Sequence, residues 1–186
     1  MNIPLLKFSF NQSLSKKFVL NFFILLCLKK KNQECHANYK GINIVRINSP
    51  ALDQKVKKGI LDSFFSIINF HPIFYKQLIK LHQEINFDII HVHDLPLSKT
   101  IRIAANKINV PYVIDLHENY ADAMKVWFNW RTNKIVRLKN RIFFNYKKWN
   151  NYERIETNKA EYIIAVVEEM KQRLVKKHDL IENKIK

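Results

Sequence analysis

The sequence predicts an α/β fold, a single domain built on a doubly wound, mostly parallel sheet. Two short stretches, residues 87–94 and 110–119, each consist of an apolar run of strand length that ends in a polar cluster rich in histidine and carboxylate. A segment of helical periodicity separates them, so the chain alternates strand, helix and strand, as parallel sheets require. The polar clusters are therefore expected at the carboxyl ends of neighbouring strands, where such sheets bind ligands.

The first part of the chain predicts two strands and a helix. Residues 18–28 are almost entirely apolar and predict a buried strand, since eleven residues are too few to cross a bilayer as a helix, which takes about 20. A signal-peptide core of this length is conceivable, but lysines stand where a cleavage site needs small residues. Residues 42–47 alternate apolar and polar side chains as a half-exposed strand does, and residues 54–69 are helix-like.

The rest of the chain continues the alternation. Pro72 opens an amphipathic helix that carries Phe74, Leu78, Leu81 and Ile85 on one face. The next predicted elements are a strand at residues 88–93, a helix at 97–108 and a strand at 112–116. A buried strand at 162–167 and a helix at 168–178 follow. The strands are apolar on both faces, as expected where helices cover a parallel sheet.

The amino-acid composition of the chain favours some classes of binding partner over others. The chain has 32 Lys and Arg against 16 Asp and Glu, a net charge of +16, which favours partners that carry phosphate. A general bias towards lysine explains much of this excess equally well. Gly41 and Gly59 are the two glycines, so the chain has no glycine-rich phosphate-binding loop. Cys27 and Cys35 match no metal or redox spacing.

Histidines dominate the two polar clusters. His91 and His93 are two apart on a strand and so share a face, where they either pack in the sheet or supply two ligands to zinc. A third ligand is not evident, and we expect no metal site. His117 follows Asp115 by two positions, so this carboxylate could fix the tautomer of the imidazole. His117 could then hydrogen-bond a substrate hydroxyl or stabilise charge at a reacting centre.

A basic and aromatic stretch covers residues 125–154, with nine Lys or Arg residues and one acid. This composition suits an anionic membrane surface, and less well single-stranded nucleic acid. It equally suits a helix that packs its rings on the sheet and turns its lysines to water. The membrane-contact candidates in the stretch are Trp127, Trp130, Arg131, Lys147, Lys148 and Trp149.

With these residues in view, the chain resembles the N-terminal domain of glycosyltransferase family 4, whose enzymes have the GT-B architecture of two Rossmann-like domains. The resemblance runs from about residue 18 to the end. Three segments carry it, in this order: Asp88-Ile-Ile-His-Val-His-Asp-Leu-Pro, Val110-Pro-Tyr-Val-Ile-Asp-Leu-His-Glu-Asn-Tyr, and Tyr152-Glu-Arg leading into Ala160-Glu-Tyr-Ile-Ile-Ala-Val-Val-Glu-Glu-Met.

The resemblance implies a reaction and a division of labour. Members of the family transfer a sugar from a nucleotide-sugar donor to an acceptor, usually with retention of configuration, in a cleft between the two domains. The N-terminal domain mainly holds the acceptor, and the C-terminal domain holds the donor nucleotide through a pair of glutamates. The family's active-site histidine corresponds to His117, and the residues that correspond to the cleft lining are His93, Asp94, Glu118 and Asn119.

The chain departs from the family pattern in three places. Val167 stands where similar proteins have Ser or Thr, so the helix that follows lacks a hydroxyl cap. Residues 1–17 are too few for the usual first strand, glycine-bearing loop and helix, although residues 3–10 could form a replacement strand. Without one, the sheet would have a gap with exposed edges. We also expect the C-terminal donor domain to be absent, which would leave residues 18–186 as an incomplete acceptor-side domain.

These features together predict the acceptor-side half of a retaining glycosyltransferase that acts on an envelope glycan or a lipid-linked acceptor. We expect it to be weak or inactive alone, to bind no cofactor itself and to depend on a nucleotide sugar held by a missing domain or chain. The alternative is a non-catalytic basic module that binds an anionic membrane or, less favoured, nucleic acid. We expect a cytoplasmic protein that contacts the inner face of the cytoplasmic membrane.

Overall fold

The computed structural model describes residues 6–10, 22–48, 65, 67–129, 133, 138 and 145–186. They form an α/β domain with one seven-stranded sheet, in the spatial order β3-β4-β2-β1-β5-β6-β7. The strands β1 to β7 are Leu6–Phe10, Phe22–Leu28, His36–Tyr39, Ile42–Ile47, Ile89–His93, Tyr112–Leu116 and Tyr162–Ala165. The helices α1 to α5 are Pro72–Ile85, Ser98–Ile108, Tyr120–Asn129, Tyr146–Lys159 and Glu168–His178. The expected α/β class is confirmed.

Most strands of the sheet run in the same direction. β2 pairs with β4 in parallel, and β5, β6 and β7 form a second parallel set. β1 lies between the two sets and is antiparallel to both, and β3 is antiparallel to β4 at the edge. Five of the seven strands therefore share one direction, as the prediction of a mostly parallel sheet requires.

One face of the sheet forms the core. Alternate residues of the strands point into it and are almost completely buried: Leu26, Val45, Val92, Ile114 and Ile163. Most positions on the other face are less buried, among them His91, His93 and Val113, whereas Asp115 is buried there. Strand periodicity therefore turns the histidines of β5 away from the core.

The replacement strand that residues 3–10 could form is present as β1, so the described strands leave no gap at the centre of the sheet. β1 pairs with β2 on one side and with β5 on the other, so residues 6–10 complete the sheet. Eleven residues, 11–21, connect β1 to β2. A parallel pair needs a crossover of a dozen or more residues, whereas an antiparallel pair needs only a short connection. The short connection is therefore consistent with the antiparallel orientation of this strand.

Strand β3 is an element that the sequence patterns did not reveal. Its four residues pair with β4 through a two-residue turn at Lys40 and Gly41, which both have positive φ, at 50° and 84°. Such turns match the twist of the flanking strands. The Asn38 side chain accepts a hydrogen bond from Gly41 N at 3.1 Å.

The helix boundaries lie close to those predicted from the sequence. α1 begins after His71, and residues in the left-handed conformation follow the ends of α1, α2 and α5, namely Asn86, Asn109 and Asp179.

Two predicted elements differ from the structure or lie partly outside its described residues. Strand β7 ends at Ala165, so Val166 and Val167 are exposed and do not belong to the predicted buried strand. Of the predicted helix at 54–69, residues 65, 67 and 68 are helical and Asn69 is in a turn, whereas residues 54–64 and 66 lie outside the described part.

Candidate active site

Two neighbouring strands and the loops after them bring the polar clusters together. His91 and His93 lie on β5, and Asp115 lies on β6, directly opposite His93 in the parallel ladder. His117 follows the last residue of β6. The carboxyl ends of β5 and β6 thus form a single site, as the alternation of strand and helix predicted.

Three imidazoles surround one carboxylate oxygen. Asp115 Oδ2 lies 2.9 Å from His91 Nε2 and 2.9 Å from His117 Nε2. The same oxygen lies 4.0 Å from His93 Nδ1. Asp115 is only 7% exposed, whereas the His117 side chain is 41% exposed. A buried carboxylate therefore holds an imidazole that remains accessible to a ligand.

Asp94 links the two strand ends. Its N–H donates to the Asp115 carbonyl at 2.8 Å, and its Oδ1 accepts a hydrogen bond from His117 N–H at 3.1 Å. Its φ of 64° and ψ of 168° fall in a region that is essentially restricted to glycine and costs about 1–3 kcal/mol for other residues. The hydrogen bonds on both sides of Asp94 hold this conformation, which in turn fixes the backbone of His117.

The residues that follow His117 lead directly into helix α3. Asn119 Oδ1 accepts a hydrogen bond from Asp122 N–H at 3.4 Å, and the Asn119 carbonyl accepts one from Ala123 N–H at 2.8 Å. Glu118 is half-buried. Asn119 therefore serves as the cap of α3, and its expected place in the cleft lining stays a prediction.

Tyr120 is a residue near the site that sequence analysis missed. Burial raises the pKa of its phenol well above the ordinary value, and the nearby charges of Asp94 and Glu118 raise it further. Its ring lies 5.0 Å from the Trp149 ring, centroid to centroid. The tyrosine therefore connects the carboxylates of the site to the packing of α4.

The membrane-contact candidates on α4 differ in how accessible their side chains are to a membrane surface. Trp149 is 3% exposed and packs on Tyr120 and Tyr152, so its ring is not available to a membrane surface, contrary to expectation. Lys147 is exposed, whereas Lys148 Nζ donates to the Ile67 carbonyl at 2.7 Å.

The other three candidates remain predictions. Trp127 lies on α3, and Trp130 and Arg131 lie outside the described residues. The described helices include none that is both long and apolar enough to span a bilayer.

The chain matches a known protein family. A family profile described as Glycosyltransferase Family 4 matches residues 45–186. The chain belongs to glycosyltransferase family 4. The resemblance was expected from about residue 18, but the match begins at residue 45, within β4, and leaves out the first three strands. A search of curated proteins found no match to the chain.

For this family 4 domain, the structure brings the sequence-predicted His93, Asp94 and His117 into one cluster. The His93 and His117 rings lie 4.2 Å apart, centroid to centroid. Asp115, which the sequence placed only as a partner of His117, is the centre of the cluster. Its contacts with His91 and His93 depend on the register between β5 and β6, which the sequence alone does not define.

Proposed function

We propose that this chain is the acceptor-side domain of a retaining glycosyltransferase, which moves a sugar from a nucleotide sugar to an envelope glycan or a lipid-linked acceptor. Membership of the family supports the general reaction class. The accessible imidazole of His117, at the carboxyl end of the sheet, is the observation that carries the proposal.

His117 is the residue proposed to touch the sugar. Its Nε2 is engaged by Asp115 at 2.9 Å, and its ring is exposed enough to meet a ligand. Hydrogen bonds between a positioned imidazole and a hydroxyl can orient a sugar and stabilise charge that develops in the transition state.

Asp115 and Asp94 are proposed to hold His117 in place. Asp115 contacts the imidazole, and Asp94 accepts from the main-chain N–H of the same residue. Contacts to both the ring and the backbone restrict its side chain and its loop, which reduces the ordering required when substrate binds.

Acceptor binding to the full chain tests this proposal. The ligands are short glycans and detergent-solubilised lipid-linked sugars, followed by NMR chemical-shift perturbation in a buffer that contains a chelator. We expect shifts around β5 and β6, and weaker binding after His117→Ala. The matched control is His36→Ala, at an exposed histidine on β3. Equal binding by both variants and the unchanged chain would contradict the proposed role of His117.

The basic stretch supports a second, compatible proposal, contact with an anionic membrane. Lys147 is exposed near the start of α4, and the chain carries a net charge of +16. A lipid-linked acceptor resides at such a surface, so attraction to anionic headgroups would bring the domain to its substrate.

A further inference from the structure

His93, Asp115 and His117 are close enough to bind one metal ion together. Each offers a ligand atom, and these three atoms all lie within 4.8 Å of one another. Two imidazole nitrogens with one carboxylate oxygen form the set of three protein ligands that catalytic-type zinc sites use, with a fourth position open. We infer that these three residues form a transition-metal site, for which Zn²⁺ is the best-suited ion.

The surrounding contacts are those that metal ligands require. His93 presents Nδ1 towards Asp115 Oδ2, while its other nitrogen, Nε2, lies 3.5 Å from Asp94 Oδ2. A carboxylate on the far nitrogen of a histidine ligand orients its ring and raises its basicity. His91 Nε2 lies 2.9 Å from Asp115 Oδ2, and this contact orients the ligand carboxylate.

Burial and access also fit a metal site. Asp115 is buried, and its second oxygen, Oδ1, has no hydrogen-bond partner in the described part of the chain. A negative group in this setting is stabilised by a cation. The exposed His117 side chain leaves a path by which the ion can enter.

The sequence predicts no metal site, because the two-residue spacing of His91 and His93 offers only two ligands. The third ligand comes from the next strand, and it is the register of β5 against β6 that places Asp115 opposite His93. The inference does not depend on the proposed transferase function, since it rests on ligand geometry alone.

Metal titration of the full chain tests the inference. The protein is stripped with a chelator, dialysed and titrated with Zn²⁺ by calorimetry, and with Co²⁺ by visible absorption, because d–d bands report the coordination geometry. We expect one ion per chain. His117→Ala should weaken binding more than His91→Gln, for which a loss of roughly 10- to 100-fold is expected because His91 only orients a ligand.

The control is again His36→Ala, which removes an exposed imidazole far from the cluster in sequence and should leave Zn²⁺ affinity unchanged. The His117 side chain is exposed at the end of a strand, so its removal should not prevent folding, which circular dichroism checks. Asp115→Asn provides a second ligand variant. Absence of 1:1 binding, or equal affinity in the His117 and His36 variants, would overturn the inference. Acceptor binding is measured in chelator, so the two proposals fail separately.

Discussion

His71 caps α1 as a neutral imidazole. Its side-chain Nδ1 accepts a hydrogen bond from Phe74 N–H at 3.4 Å, and the main-chain N–H of His71 donates to Thr100 Oγ1 at 2.9 Å. Its ring lies against the rings of Phe65 and Phe74. Burial among these groups lowers the pKa of His71 to about 4, from an ordinary value of 6.5.

This lowered pKa predicts a pH-dependent stability. Between pH 6.5 and 4 the unfolded chain binds a proton at His71 that the folded chain does not, so the stabilisation present above pH 6.5 is lost as the pH falls. His71→Asn keeps a capping side chain and removes the titration. Urea denaturation measures the free energy of unfolding of both chains. The difference in favour of the unchanged chain should become smaller from pH 7.5 to pH 4.5, and a difference that stays constant would contradict the prediction.

Val167 leaves α5 without a side-chain cap, as its departure from the family pattern predicted. It occupies the N-cap position with extended backbone angles and makes no capping hydrogen bond. Val167→Ser should therefore raise the free energy of unfolding by about 1 kcal/mol. Val166→Ser, at an exposed position outside the cap, is the control. Equal effects of the two substitutions in urea unfolding would show that capping is not the cause.

At the scale of elements, two buried glutamates attach α4 to its neighbours. Glu156 pairs with Arg102 of α2 through two hydrogen bonds of 2.8 and 3.1 Å. Glu153 pairs with Arg173 of α5 at 2.7 and 2.8 Å and contacts His178 at 2.6 Å. Burial alone would raise the pKa of Glu153, but the hydrogen bonds from Arg173 and His178 outweigh it and hold this pKa below its ordinary value of 4.5.

Removal of one partner should therefore be costly. Arg173→Leu leaves the Glu153 carboxylate buried without its main partner, and we expect a loss of about 3–5 kcal/mol in the free energy of unfolding. Lys171→Met on the same helix removes a surface pair with Glu182 and should have little effect. Chemical denaturation measures both variants. Similar losses for the two would mean that the buried pair does not anchor α5.

The Glu153 pair also predicts an acid limit. Because the folded pKa is lowered, the stabilisation from this carboxylate is present above pH 4.5 and is lost as the pH falls further. The pH range over which Glu153 loses its stabilisation lies mostly below the range over which His71 does. The two contributions can therefore be separated by comparing Arg173→Leu and His71→Asn with the unchanged chain at several pH values.

At the scale of the whole molecule, the charge of +16 predicts binding to anionic vesicles that weakens with salt. Flotation with vesicles that contain phosphatidylglycerol measures it. Each surface lysine contributes about 1 kcal/mol, so Lys147→Ala should weaken binding by about fivefold. Lys80→Ala, on the exposed side of α1, is the control. Equal effects would indicate general charge attraction and not a defined membrane-facing segment.

Much of this domain follows from local patterns. Helix α1 begins at Pro72, as the sequence predicts, because a proline suits the first turn. Its apolar residues at spacings of four, three and four lie on one face, where Phe74, Leu78 and Leu81 are buried and Ile85 packs partly buried against the core. Strands β5 and β6 follow from apolar runs of strand length. Strand β3 does not follow, since its four residues carry no clear alternation and its pairing depends on a partner strand.

For the site, the sequence alone determined which residue types stand at the ends of β5 and β6, and hence where a site should lie. The tertiary structure decided that β1 completes the sheet, that Trp149 is buried, and that Asp115 lies at the centre of three histidines. The physical reason is that strand and helix periodicity acts over a few neighbouring residues. Register and burial depend instead on contacts between segments that are far apart in the chain.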